Sequence, residues 1–436
     1  MLKHNMKKIL IAISILLAGN TLYAQETVYP APAQQSVIFL KNATIHVGNG
    51  NVIEHGTIGF SQGKITVVGG ASTPVPADIK VFDLQGQHVY PGIIAPNTNL
   101  GLVEVEAVRA TVDDNEVGEI NPSVRSIVSY NTDSKVINTL RVNGVLLANI
   151  VPEGGILSGS SSVVQLDAWN WEDAAVRTDN GLHVYLPRLV VRSNPFGRGA
   201  GIGDDAIKSS LERIESLKKF FREAKAYLAE EKHEETNLKF EAVRRLFSKE
   251  EKLFIHCELV KEMLVATEFA DEFGFDVVIV GGTDAWQIAD LLKQKNIPVI
   301  LNQPHSLPVS QDDDVDQPYK TPAMLQKAGV LFCIGNEGFW QQRNLAFNAG
   351  TAAAYGLSKE EALSAITLNA AKILGVDKIT GSLEVGKDAN MVVSAGDILD
   401  MRTNNITHAY IQGRELNLDN KQKQLYERYK YKYGLK

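Results

Sequence analysis

The stretch from Val89 to Gly101 reads VYPGIIAPNTNLG, an apolar run that ends in two asparagines separated by one residue. Side chains two apart on a strand point to the same face, so Asn97 and Asn99 would both project into the centre of a barrel if this segment were its first strand. Two histidines placed in this way could share one metal ion. Asparagine offers only a neutral amide oxygen, which is a weaker zinc ligand than an imidazole nitrogen. The stretch therefore predicts a barrel strand whose inner face suits a transition metal poorly.

Apolar strand candidates alternate with helical patterns through the middle of the chain. They are Gly144 to Val151, Leu253 to His256, Val277 to Val280, Pro298 to Leu301 and Val330 to Ile334. Alternation of this kind predicts an α/β protein with a parallel sheet, most simply a β/α barrel.

Both ends of the barrel region carry short alternating runs broken by glycines. One such region extends from Val37 to Phe82, and a similar pattern returns between Ala389 and Gly413. This pattern is typical of β-strands joined by tight turns. We expect the two ends to build one sheet domain together.

A long segment from about Asp204 to Lys249 has apolar residues at three- and four-residue spacing, which predicts an amphipathic helix. A helix packed on the barrel is favoured over a lid or a partner surface, because any packed helix needs one apolar stripe. The stripe consists of Ile207, Leu211, Ile214, Leu217, Phe221, Ala224 and Leu228.

The first residues have the layout of a secretory signal, with Lys3, Lys7 and Lys8 before an apolar run and Ala24 before Gln25. We therefore expect a signal peptide over residues 1–24 and an exported protein, periplasmic or extracellular, without stable membrane insertion. Loss of three lysines and no acid would move the formal net charge from −7 to −10. Such an acidic protein is not a general polyanion binder, so nucleic acid is excluded as a partner.

The last residues, from Lys421 to Lys436, combine six basic residues with four tyrosines. Because the whole chain is acidic, a terminal helix docked through its tyrosines is favoured over a nucleic-acid contact. The two cysteines, Cys257 and Cys333, lie in short apolar runs and are expected to be buried free thiols.

Two further stretches add to the pattern of the first strand. Residues 360–375 read EEALSAITLNAAKILG and residues 381–390 read GSLEVGKDAN. Together with Pro91-Gly92-Ile93-Ile94, they resemble the amidohydrolase superfamily, particularly its imidazolonepropionase-like members. The stretch ILSGSSSVVQLD at 156–167 and the run Arg343-Asn344-Leu345 resemble a subgroup of exported bacterial amidohydrolases.

The resemblance implies a (β/α)8 TIM-like barrel with a small β-sandwich built from both chain ends. It implies hydrolysis of non-peptide C–N bonds and one or two divalent metals such as zinc. The expected domains are a composite β-sandwich over 25–90 and 385–418, a barrel over 91–384, and a C-terminal tail or helix over 419–436.

The metal ligands of the family do not carry over to this chain. The His-X-His pair of the first strand corresponds to Asn97 and Asn99, and the closing aspartate corresponds to Asn336. His256 matches a later histidine and is a remnant metal ligand or an interior histidine. The next histidine would fall at 280–283, where the chain reads VGGT. A metal that activates water needs about three protein ligands, so one histidine is insufficient.

Other polar residues could compensate for this loss. His305 follows a strand on the side where barrel enzymes place their sites, although a solvated loop histidine is favoured. The acids after the first strand could form an acid/base pair or bind calcium, although a solvated acidic loop is favoured. These acids are Glu104, Glu106, Asp113, Asp114, Glu116 and Glu119.

Three functions remain open at this point. The first is an exported ligand-binding protein with an impaired or lost metal centre, whose polar pocket uses Asn97, Asn99, Asn336 and Glu337 to bind a small molecule. The second is an active amidohydrolase with an altered metal or acid/base site. The third is a partner protein that forms a homodimer or pairs with an active homologue.

Overall fold

The computed structural model describes residues 28–189, 202–230, 232–308 and 313–435. The chain divides into two compact units, Met1–Pro30 and Ala31–Lys436, and the elements described below lie in the second. The expected signal peptide, residues 1–24, lies outside the described residues.

The strands in chain order are β1 Ile38–His46, β2 Val52–Ser61, β3 Lys64–Gly69, β4 Lys80–Asp83, β5 His88–Pro91, β6 Ile93–Thr98, β7 Val145–Ile150, β8 Leu157–Gln165, β9 Ala175–Tyr185, β10 Lys252–Cys257, β11 Val277–Gly281, β12 Val299–Leu301, β13 Phe332–Ile334, β14 Met391–Ser394, β15 Ile406–Ile411 and β16 Arg414–Glu415.

The α-helices are α1 Ser126–Ser129, α2 Lys135–Arg141, α3 Trp171–Ala174, α4 Ile202–Leu228, α5 Leu238–Ala242, α6 Arg244–Phe247, α7 Val260–Phe273, α8 Ala289–Lys295, α9 Gln317–Ala328, α10 Leu345–Ala354, α11 Lys359–Ala365, α12 Leu368–Leu374 and α13 Lys421–Tyr433. Short 3-10 helices cover Arg109–Thr111, Ala285–Ile288 and Gln341–Asn344.

The sheet from the two chain ends has eight strands, in the order β16-β15-β14-β5-β1-β2-β3, with β4 paired to β1. Strand β5 joins the two ends, because it pairs with β1 on one side and with β14 on the other. A separate core lies against this sheet and includes Ile45, Phe60, Met391 and Tyr410. The prediction that both ends build one sheet domain is confirmed.

The second sheet is a nearly closed barrel of eight strands, in the order β6-β7-β8-β9-β10-β11-β12-β13. The segment after α11 bridges the remaining gap in part, because the backbone N–H of Ile94 in β6 donates to the carbonyl oxygen of Ile366 at 3.0 Å. The predicted α/β class, with a TIM-like barrel and an additional β domain, is confirmed.

One barrel strand departs from the expected all-parallel arrangement. Strand β8 is antiparallel to both β7 and β9, whereas the other barrel pairs are parallel. The connection from β7 to β8 covers only residues 151–156 and contains no helix. A parallel return needs a crossover of about a dozen residues, so this short connection forces an antiparallel pair.

Helix α4 packs on the barrel through part of the predicted stripe. Ile214, Leu217, Phe221 and Ala224 are buried, whereas Leu211 is 50% exposed. The helix ends at Leu228, so the expected continuation to about residue 249 is wrong. The chain instead starts α5, where the side chain of Asn237 accepts hydrogen bonds from two backbone N–H groups.

The two cysteines agree with the prediction, whereas the C-terminal segment differs from it. Both cysteines are free and buried, as predicted. The basic tail contains helix α13, but its four tyrosines are exposed, so the expected docking through them is wrong. Among the described residues, no helix combines the length and apolarity needed to cross a membrane.

Candidate functional site

A cavity of about 580 Å³ lies at the carboxyl ends of the barrel strands, where β/α barrels place their sites. Its polar wall comes from residues that end or follow β6, β7, β9, β10, β12 and β13. These polar residues include Asn97, Asn99, Glu153, Tyr185, His256, Glu258, Asn302 and Glu337.

Both asparagines of the first barrel strand line the cavity, as their spacing predicted. The side chain of Asn99 donates from Nδ2 to Asp114 Oδ2 at 3.2 Å and to Glu153 Oε1 at 3.5 Å. Its Oδ1 atom is buried and has no hydrogen-bond partner among the described residues. The N–H₂ group of Asn99 is therefore bonded to two carboxylates, whereas its carbonyl oxygen has no hydrogen-bond partner among the described residues.

Glu153 follows β7 and lies among other acids. Desolvation by the cavity wall, followed by the nearby charges of Asp114 and Glu337, raises the pKa of Glu153 to about 7. Its side chain is nevertheless exposed to water within the cavity, so solvent screening weakens what the shift contributes to folding stability. A carboxyl group with this pKa can exchange protons at neutral pH.

A second carboxylate pair is held by one amide. Asn302 donates from Nδ2 to Glu258 Oε1 at 2.8 Å and to Glu337 Oε1 at 3.0 Å. Glu258 also accepts from the backbone N–H of Thr283 at 3.2 Å and from its hydroxyl. Burial raises the pKa of Glu258, while the hydrogen bonds from Thr283 oppose this effect. These contacts fix the Glu258 carboxylate in one position.

The glycine after β11 makes room for this carboxylate. Gly281 has a φ of +100°, and a Cβ atom there would lie 2.3 Å from Glu258 Oε1. The family-like histidine was expected at 280–283, and that region instead carries glycine and threonine around Glu258.

His256 pairs with another barrel histidine. Its Nε2 lies 2.9 Å from Nδ1 of His183, and its ring stacks on Tyr185 with centroids 3.9 Å apart. Burial lowers the pKa of His256 to about 3, so its ring is neutral at neutral pH. One of the two paired nitrogens donates and the other accepts, so Nε2 of His256 is engaged with His183 whichever tautomer is present.

The remaining predicted residues are distributed around the cavity. Glu337 lines its wall, whereas Asn336 lies outside the lining and is only 2% exposed. Asn336 donates to the carbonyl oxygen of Gln341 at 2.9 Å and accepts from Asn348 at 2.7 Å, which holds the loop after β13. His305 is exposed and contacts the Thr351 hydroxyl at 2.6 Å.

The prediction that the acids after the first barrel strand are solvated is confirmed for most of them. Glu106, Asp113, Glu116 and Glu119 are exposed. Asp114 differs, because it is 7% exposed and bonded to Asn99. Asp114 is therefore a buried neighbour of the cavity wall, and the prediction that it is solvated is wrong.

Sequence reasoning missed several lining residues. Glu153, Glu258 and Asn302 each follow the carboxyl end of a strand that the sequence did predict, so the position of barrel sites could have singled them out. His183 and Tyr185 lie on β9, which the sequence analysis did not identify as a strand.

The residues present do not fit a zinc ion of the kind the resemblance implies. In the described part of the chain, no three of the His, Cys, Asp and Glu side chains lie close enough together to hold a metal. His256 Nε2 is bonded to His183, and Asn99 turns its N–H₂ group, which cannot ligate a metal, toward Asp114 and Glu153. Zinc in a catalytic site takes about three protein ligands, which this arrangement does not supply.

Comparisons with known proteins connect the fold to a family. Residues 278–416 match the model of the Amidohydrolase family. The sequence is 30% identical to amidohydrolase tasK of Hapsidospora irregularis over 138 residues, which is 28% of this chain and 13% of that protein. The chain thus matches only a small part of this curated relative.

Solved structures extend the likeness to most of the chain. An amidohydrolase from Thermotoga maritima MSB8 superposes with a TM-score of 0.74 at 26% identity, over 87% of this chain and 99% of that one. A molinate hydrolase gives a TM-score of 0.54 at 16% identity, over 88% and 95% of the two chains, and so supports the fold alone. The chain therefore contains an amidohydrolase family domain at residues 278–416, and its structural neighbours lie in the amidohydrolase superfamily.

Proposed function

We propose that this protein is an exported, imidazolonepropionase-like member of the superfamily whose metal centre is impaired and whose barrel cavity binds a small molecule. The observation that carries the proposal is the position of Asn99. It lies in the cavity wall where the resemblance implies a metal-binding histidine, and it is bonded to Asp114 and Glu153. A cavity lined by fixed polar groups can bind a ligand without transforming it.

The partner is proposed to be a small molecule rather than nucleic acid, because carboxylates dominate the charges of the cavity wall. Self-association, or association with an active homologue, remains part of the proposal. Gel filtration of the protein alone, and after coexpression with such a homologue, tests it.

Metal content tests the impaired centre directly. The full chain is purified without chelators, dialysed against zinc, manganese and calcium, and measured by inductively coupled plasma mass spectrometry. We expect far less than one transition metal per chain, and no change in the variant His256→Ala. Near-stoichiometric zinc or manganese in the native protein that His256→Ala loses would overturn the proposal.

One observation favours a second function, an active hydrolase that uses acid/base groups. The family domain supports hydrolase function, and Glu153 has a pKa raised to about 7 by desolvation and neighbouring acids. As a carboxylate, Glu153 could accept a proton from water that attacks an amide carbonyl, and could return it to the leaving amine. Hydrolysis of amides that Glu153→Gln abolishes, with the control Glu106→Gln unaffected, would establish this function.

A further inference from the structure

The charge of the cavity wall is one-sided. Glu153, Glu258 and Glu337 line it, whereas Arg188 is the one cationic side chain among the described lining residues, since His256 is neutral. Glu262 also lines the cavity, but its carboxylate accepts from the backbone N–H groups of Leu189 at 2.8 Å and Leu259 at 3.0 Å. The groups left to face a ligand are therefore mainly carboxyl groups, of which Glu153 is only partly ionised at neutral pH because its pKa is raised to about 7.

The side-chain amides of Asn99 and Asn302 add to this excess of hydrogen-bond acceptors. Asn99 and Asn302 each turn an Nδ2 toward two carboxylates, so their donors are already engaged. Asn99 Oδ1 is buried without a partner among the described residues. A buried acceptor without a donor is unfavourable, and a ligand N–H would relieve this.

An uncharged aromatic surface completes the wall. Tyr185 and His256 stack with their centroids 3.9 Å apart, and both rings line the cavity. Burial raises the pKa of the Tyr185 hydroxyl, so this ring also stays neutral. A neutral aromatic face attracts a cation when acidic groups surround it.

We infer that the cavity binds a small organic cation with several N–H donors, of the alkylguanidinium or primary ammonium class. This inference rests on the proposed ligand-binding function and names the chemical class of its ligand. The N–H groups contact Glu337, Glu258 and Asn99 Oδ1, and the cationic head lies along the outer face of the Tyr185–His256 stack. A planar guanidinium matches paired carboxylates through two parallel hydrogen bonds.

Two probes of nearly equal size and one shorter anion separate charge from shape. Isothermal titration calorimetry of the full chain is performed with n-butylguanidinium, with the neutral n-butylurea, and with the anion butyrate. We expect butylguanidinium to bind, butylurea to bind at least about tenfold more weakly, and butyrate not to bind. Added salt should weaken the binding of butylguanidinium selectively.

Matched variants locate the contact. Glu337→Gln and Glu258→Gln keep the side-chain shape and should each weaken butylguanidinium binding about tenfold, with little effect on butylurea. Glu106→Gln changes an exposed acid on the loop after β6 and should leave the affinity unchanged. Thermal unfolding of each variant confirms that it is folded.

The outcomes distinguish this inference from the proposed function. If butylurea or butyrate binds as tightly as butylguanidinium, the cavity binds ligands but the cationic class is wrong. If none of the three probes binds, the inference fails, whereas the proposed impaired centre fails only if the chain holds a transition metal near stoichiometry. Equal loss of affinity in Glu106→Gln and Glu337→Gln would also overturn the inference.

Discussion

At the scale of the residue, Glu153 shows how a cavity changes a carboxyl group. Its ordinary pKa is 4.5, and desolvation with repulsion from Asp114 and Glu337 raises it to about 7. The protonated form is therefore favoured by the folded protein. The stabilising contribution of that proton is fully present below the ordinary pKa and is lost as the pH rises through about 7.

This sign gives a pH-dependent prediction for Glu153→Gln, which keeps the shape and removes the ionisation. At pH 8 the variant should be more stable than the native protein by about 1 kcal/mol, less than the full shift implies because water reaches the carboxylate. Well below pH 4.5, where the group is protonated in both the folded and the unfolded state, the difference should vanish. Urea unfolding at the two pH values measures both free energies.

The control for this prediction is Glu106→Gln, since Glu106 is exposed on the loop after β6. Its stability relative to the native protein should not depend on pH over the same interval. A loss of stability at pH 8 in Glu153→Gln would show that the charged carboxylate stabilises the fold, contrary to the prediction.

At the scale of the element, strand β8 contains buried serines in two different situations. Ser161 is fully buried, and its hydroxyl donates to Asn180 Oδ1 at 2.9 Å. Ser158 is 1% exposed, and its hydroxyl has no hydrogen-bond partner in the described residues. Removing the hydroxyl of Ser161 therefore breaks a hydrogen bond, whereas removing the hydroxyl of Ser158 eliminates a buried group that has no partner.

We predict that Ser161→Ala lowers the free energy of unfolding by about 1 to 3 kcal/mol, because it leaves a buried amide oxygen unpaired. The matched variant Ser158→Ala should be neutral or slightly stabilising, because it removes a desolvated hydroxyl. Urea denaturation followed by circular dichroism compares them. Equal destabilisation by both variants would show that packing, rather than hydrogen bonding, determines the effect.

Strand β8 could not be predicted from the local sequence, unlike other strands of the barrel. Strands β10 to β13 were predictable, because each is a short apolar run bounded by helical patterns. The serines of β8 give no such signal, and their burial depends on partners such as Asn180 and Asp179 on the neighbouring strand. Contacts across strands decide this element, and no local pattern contains them.

The candidate site could be predicted from the sequence only in part. Strand alternation predicted that Asn97 lines the cavity, whereas Asn99 lines it from just beyond the end of β6 at Thr98. The bonding of Asn302 to Glu258 and Glu337 joins residues from three strand ends, so their proximity depends on the closed barrel. Asn336, which the resemblance aligns with the family aspartate, is directed into the protein by its bonds to Gln341 and Asn348.

At the scale of the whole molecule, one carboxylate joins distant parts of the chain. Asp167 follows β8 and is 3% exposed. It accepts from Arg141 of α2, from Arg414 of β16 at 2.9 Å, and from the backbone N–H of Ala31 at 2.9 Å. The barrel and the sheet from the chain ends are therefore held at a common buried ionic centre.

We predict that Asp167→Asn lowers the free energy of unfolding by about 3 to 5 kcal/mol, because two largely buried guanidinium groups lose their counter-charge. The control is Asp400→Asn, whose partner Arg402 is 88% exposed, and its loss of stability should be far smaller because water already solvates that pair. Urea unfolding is followed by tryptophan fluorescence and by circular dichroism. Water screens an exposed charge that has lost its partner, but it cannot screen a buried one. If Asp167→Asn lost no more unfolding free energy than Asp400→Asn, the central role of the Asp167 carboxylate would therefore be contradicted.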